Sequence, residues 1–168
     1  MPDTNDRPIA VLNSLIETTV DSAYGYKEAA VDAHGLNFKS QFEGRWLHRK
    51  QLTAELQHLV RGLGGAPDED DTMLAAERRI FFGLRHTMAD SDPSIIDALE
   101  VGEDRIKARF EAALADGDLP PGAKAVVTRI PRSVQADQDQ MRDLKHALHA
   151  GRQPDASPSA RSSFAHGM

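Results

Sequence analysis

Five residues of this chain have the chemistry of a metal centre: Glu17, Glu55, His58, Glu103 and Asp137. Carboxylate and imidazole groups suit iron or manganese. In Glu55-Leu56-Gln57-His58 they stand three residues apart, on one face of a helix. Two of the five also interrupt apolar stripes of helical period. Glu103 fills a step of the series Ile96, Leu99, Ile106, Phe110, Ala113, and Asp137 breaks Val127, Ile130, Val134, Met141, Leu144, Leu148. A third stripe, Phe38, Phe42, Leu52, Leu56, Leu59, Leu63, is broken by Arg45 and Arg49. A charge facing a core is costly unless it is paired, hydrogen-bonded or metal-bound. The same residues therefore support two readings: a metal centre, or a buried ion network in which Arg45 and Arg49 pair with Glu17, Glu103 and Asp137.

The elements that must position these side chains are helices. A first helix starts near Pro8, with Asn5 or Asp6 as cap, and carries Ile9, Leu12, Ile16, Thr19, Ala23, Tyr26 and Ala30. His34-Gly35 should end it through a left-handed glycine. The second helix runs from Leu36 to the stop at Gly62-Leu63-Gly64-Gly65-Ala66-Pro67, and so short a connection forces an antiparallel hairpin. An acidic loop, Asp68 to Asp71, leads to a crossover helix over about Met73 to Ala89, which carries Phe81-Phe82 and His86. Pro93 opens the next helix, which closes near Asp116-Gly117-Asp118. The last helix begins at Pro120-Pro121, contains Pro131 as a kink, and ends near His149. The expected domain plan is a flexible terminus over 1–7, a bundle over 8–149 and a disordered tail over 150–168. The fold class is all-α: two antiparallel hairpins joined by a helical crossover.

The chain has 168 residues, enough for one domain with a real core. It has no cysteine, which excludes disulfides, thiolate metal sites and cysteine nucleophiles. A net charge of -6 argues against a nucleic-acid partner held through phosphates. No apolar run approaches the roughly 20 residues of a membrane span, and no secretory signal opens the sequence. The expectation is a cytoplasmic protein, a homo-oligomer or a partner of another protein. The run Gly62-Leu63-Gly64-Gly65 follows a helix and lacks a lysine, so it reads as a helix stop and not as a phosphate loop.

The hairpin–crossover–hairpin connectivity is that of ferritin-like folds. The segments Val11 to Thr19, Asp21, Gly25-Tyr26 and Glu28-Ala29-Ala30 resemble the start of a bacterial ferritin-like family catalogued as domain of unknown function 2383. Ala54-Glu55-Leu56-Gln57, Leu63 to Pro67 and Glu100-Val101-Gly102-Glu103-Asp104 are similar to it as well, so that the resemblance covers about residues 8 to 149. It implies a four-helix bundle and leaves the function open.

A dinuclear site in such a bundle takes one glutamate from each of two helices and Glu-x-x-His from each of the others. Glu17 and Glu103 are the single carboxylates, with Glu100 one turn from Glu103. Glu55-x-x-His58 lies within a turn of the level of Glu17, with His48 as a rival. The last helix departs from the template: Gln135-Ala136-Asp137-Gln138 stands where Glu-x-x-His is needed, and the resemblance implies a histidine near Gln138. Two functions follow as expectations. One is a ferritin-like protein holding iron or manganese for a redox, storage or stress role. The other is a metal-free bundle with a buried ion-pair network, acting as a scaffold or interaction module.

Overall fold

The computed structural model describes residues 4–68 and 91–151. Within them the chain forms α1 (Asp6–Asp32), α2 (Leu36–Gly62), α3 (Asp92–Ala115) and α4 (Pro121–Ala150), with no strand. The expected crossover helix, Phe81-Phe82, His86 and the 152–168 tail lie outside the described residues.

Local chemistry accounts for the helix ends, not always as the sequence suggests. Asn5 is the residue before α1, but its side chain makes no cap. Its Nδ2 instead donates to the Leu63 carbonyl at the far end of α2, 3.2 Å away. Gly35 is not left-handed: it is extended, at φ -84° and ψ 130°. The turn is held from outside, by the Asp92 carboxylate, which accepts from the His34 N–H at 2.8 Å and the Gly35 N–H at 3.0 Å. Asp92 also occupies the first turn of α3, where negative charge suits the helix dipole. One carboxylate thus ties the first hairpin to the second. At the other end of α2, Gly64 does take a positive φ, 84°. The Gly65 N–H bonds the Val60 carbonyl and the Gly64 N–H that of Arg61, the paired bonds of a Schellman stop. A Cβ on Gly65 would meet Ile9 at 2.8 Å, so glycine also allows α2 to close onto α1 there. The side chain of Ser91 caps α3, with Pro93 in its first turn. Pro131 lies within an unbroken α4.

The core is divided. One apolar cluster joins Leu12, Leu15 and Ile16 of α1 to Leu52, Leu56 and Val60, to Ile106 and Phe110, and to Val127, Ile130 and Val134. A second joins Tyr26, Ala29 and Ala30 to Phe38 and Phe42, to Ile95, Ile96 and Leu99, and to Met141. On α2, α3 and α4 the residue between the two clusters is charged: Arg49, Glu103 and Asp137, all buried. The expected α2 stripe drifts, for Thr53 and Val60 are buried whereas Leu59 and Leu63 are only half-buried.

Candidate functional site: a buried guanidinium–carboxylate layer

Arg49 reaches the layer from the middle of α2, and its side chain is wholly buried (0 %). Its Nη2 stands 2.9 Å and 3.0 Å from the two Glu103 oxygens and 3.0 Å from Asp137 Oδ2. Three carboxylate oxygens therefore surround one nitrogen, as they would a small cation. That nitrogen carries only two hydrogens. Its hydrogen bonds run to the two oxygens of Glu103, and Asp137 Oδ2 remains buried with an ionic contact but no hydrogen bond. Asp137 Oδ1 is claimed by Arg45 Nη1, one turn earlier on α2, and Arg45 Nη2 donates to Gln140 Oε1. Two guanidiniums thus balance two carboxylates.

The surroundings keep the charges in place. The Tyr26 ring lies 5.6 Å below the Arg49 guanidinium carbon, a cation–π contact from α1. Burial opposes the charged form of Arg49, but Glu103, Tyr26 and Asp137 together outweigh it and raise its pKa above the ordinary value. The Tyr26 phenol is held well above its ordinary value, by burial first and then by the Glu103 charge. His48 borders the layer: its Nδ1 is 3.2 Å from Arg49 Nη1 and 3.7 Å from Asp137 Oδ2. Because a guanidinium can only donate, Nδ1 is the acceptor of the nearer contact.

The five candidate ligands are dispersed. Glu103 and Asp137 meet, on either side of Arg49 Nη2. Glu55 faces Arg129 of α4 in an ion pair at the bundle's edge, and His58 is exposed. Glu17 is half-buried on α1, and so is Glu100 on α3. Among the described residues no group of three or more histidine, aspartate and glutamate side chains converges as metal ligands would. The Gln-x-x-Gln segment splits. Gln135 is exposed, accepting from Lys107 and donating to Asp139. Gln138 is buried and donates to Asp104 Oδ1 at 2.9 Å and to the Glu100 carbonyl at 3.4 Å, which locks α4 to α3. That bond is the leading cause of a lowered Asp104 pKa.

The donor set here does not suit an iron or manganese centre, because the point between its carboxylates is occupied by a covalently tethered cation. Arg45 and Arg49 pair with Glu103 and Asp137, two of the three carboxylates that the ion-network reading names with Glu17. Sequence reasoning did not find Tyr26, Gln140 or Gln138 as parts of this layer. The only available signal was position, since Gln138 and Gln140 lie within three residues of Asp137 and Tyr26 continues the α1 stripe.

A family model matches residues 7–116 of the sequence, the model described as Domain of unknown function (DUF2383). The chain belongs to that family. Among solved structures it is similar to a Dps1 mutant from Mycobacterium smegmatis, with a TM-score of 0.69. The two are 13 % identical, and the match covers 86 % of this chain and 99 % of that one. At that identity the likeness carries the fold alone, and the fold is the ferritin-like bundle. No curated protein matches the sequence. Among the described residues no helix of this DUF2383 protein is long and apolar enough to cross a membrane.

Proposed function

We propose that this chain is a ferritin-like bundle whose central layer is an internal ion network in place of a metal centre, and that the bundle acts through its surface, as a scaffold or interaction module. The observation that carries the reading is Arg49, wholly buried, with one nitrogen inside 3.0 Å of three carboxylate oxygens. On the described surface the large apolar side chains open to contact are Leu36 at 86 %, Val31 at 71 %, Leu47 at 54 % and Val101 at 49 %. Partners of this reading are further copies of the chain or another protein.

A second reading is an iron or manganese protein of redox, storage or stress physiology, with ligands drawn from Glu17, Glu55, His58, Glu103 and Asp137. The buried Asp137 Oδ2, which lacks a hydrogen bond, favours it. Metal analysis separates the two. Protein without a polyhistidine tag, purified after growth with added iron and manganese, is expected to carry far less than one metal per chain, and its Tm should not move when either metal is added. One or two metals per chain, with a rise in Tm, would replace the first reading by the second.

A further inference from the structure

On the outer side of the first hairpin, Lys27 of α1 and Lys50 of α2 converge on Trp46. Each Nζ stands 5.5 Å from the Trp46 ring, so the two nitrogens are no farther apart than twice that distance. Lys27 is also 5.9 Å from the Tyr24 ring. Between them runs a groove of about 90 Å³ lined by these four residues and by Val20, Ala23 and Thr53. Val20, Ala23 and Thr53 are buried and give it a firm floor, while both lysines are exposed.

What is particular here is that two cations line one groove and stand over one ring. Arg7, Arg45, Arg49, Lys107, Arg129, Arg142 and Lys145 all meet carboxylates within 4 Å. Among the described residues neither Lys27 nor Lys50 does so, which holds equally for Lys39, Arg61, Arg105, Arg109, Lys124 and Arg132, so the groove and the shared ring, not the missing carboxylate, set these two apart. Two ammonium groups of like sign thus line one recess the size of a small ion, each attracted to the face of an aromatic ring. We propose that this groove is a binding site for a divalent oxyanion of the phosphate class, free or as a phosphomonoester. The dianion would sit between Lys27 and Lys50 and satisfy both. Each ammonium supplies charge-assisted donors, and the Trp46 and Tyr24 rings form a wall against which the body of an ester rests. The site is independent of the core layer and of the reading given to it.

Trp46 is the only tryptophan in the chain, so the site contains its own reporter. Full-length protein is titrated with inorganic phosphate, with glycerol phosphate and with acetate, at constant ionic strength set by chloride, while Trp46 emission is followed. A saturable change is expected with phosphate or the monoester and a much weaker one with acetate. Tighter binding of the monoester identifies an organic ligand, and equal binding identifies free phosphate. Lys27→Gln and Lys50→Gln should each weaken binding about tenfold, and Lys50→Arg should retain it, all three with unchanged helix content by circular dichroism. A phosphate titration that superimposes on chloride, or one left unmoved by both glutamine variants, would overturn the proposal.

Discussion

Two parts of α2 carry ionisable side chains three or four residues apart, Arg45 and Arg49 in one and Glu55 and His58 in the other, and they have opposite fates. The arginines stand in the apolar register, between Phe42 and Leu52, and α2 carries them into the core. Glu55 and His58 each precede a stripe position by one residue, a rotation of about 100° on a helix. Glu55 reaches only as far as Arg129 at the edge, and His58 is exposed. Spacing alone marks Glu55-x-x-His58 as the better ligand pair. Register decides which pair is buried, and burial decides how much each charge matters. In the core, loss of one partner strands another in a medium that cannot solvate it. At the edge, water replaces whatever is removed.

That contrast can be broken or sharpened by mutation. The largest effect is expected from Arg49→Met, which leaves Glu103 and Asp137 facing each other without their shared cation. Urea unfolding should show a loss of about 3–5 kcal/mol. Gln138→Ala comes next: it removes the donor to Asp104 and the Glu100 carbonyl from a buried position, and about 1–2 kcal/mol should be lost. At the edge, Glu55→Gln should cost less than about 1 kcal/mol, since its side chain is 41 % and that of Arg129 60 % exposed. His58→Ala should stay within about 0.5 kcal/mol. Similar losses at Arg49 and Glu55 would erase the distinction between core and edge.

The layer also has a pH signature. The Tyr26 phenol titrates higher in the folded protein than in the unfolded chain, so on raising the pH the unfolded state loses its proton first. Stability from this group is complete below the unfolded value of about 10 and falls as pH rises above it. Unfolding measured at pH 9 and pH 11 should show a decline in the parent protein and a smaller one in Tyr26→Phe. An equal decline in both would place the alkaline sensitivity elsewhere.

Much of this was legible in the sequence because helix stripes and helix stops are local. The four described helices, the Gly64 stop, the opening at Pro93, and the charged breaks at Arg45, Arg49, Glu103 and Asp137 all follow from neighbours in the chain. What did not follow depends on distance between segments. Gly35 looks like a left-handed stop, yet its conformation is set by Asp92, 57 residues away. The α2 stripe could be drawn through Leu59 or Val60, because steps of three and four drift around a helix and only the packing partner decides. Gln138 stands where the template asks for a ligand. Its partners are Asp104 and a backbone carbonyl of α3, which no spacing on α4 reveals. The match of levels across an antiparallel hairpin brought Glu17 and Glu55 onto the candidate site. It could not say that a long arginine side chain would reach the point between Glu103 and Asp137 first.

In the core, the charges of Arg49 and Glu103 depend on each other. A double-mutant cycle in urea tests that dependence most directly, with Arg49→Met, Glu103→Leu and the two combined. The double variant should lose less stability than Arg49→Met alone, because no stranded charge is left on Glu103. Strictly additive losses would contradict it.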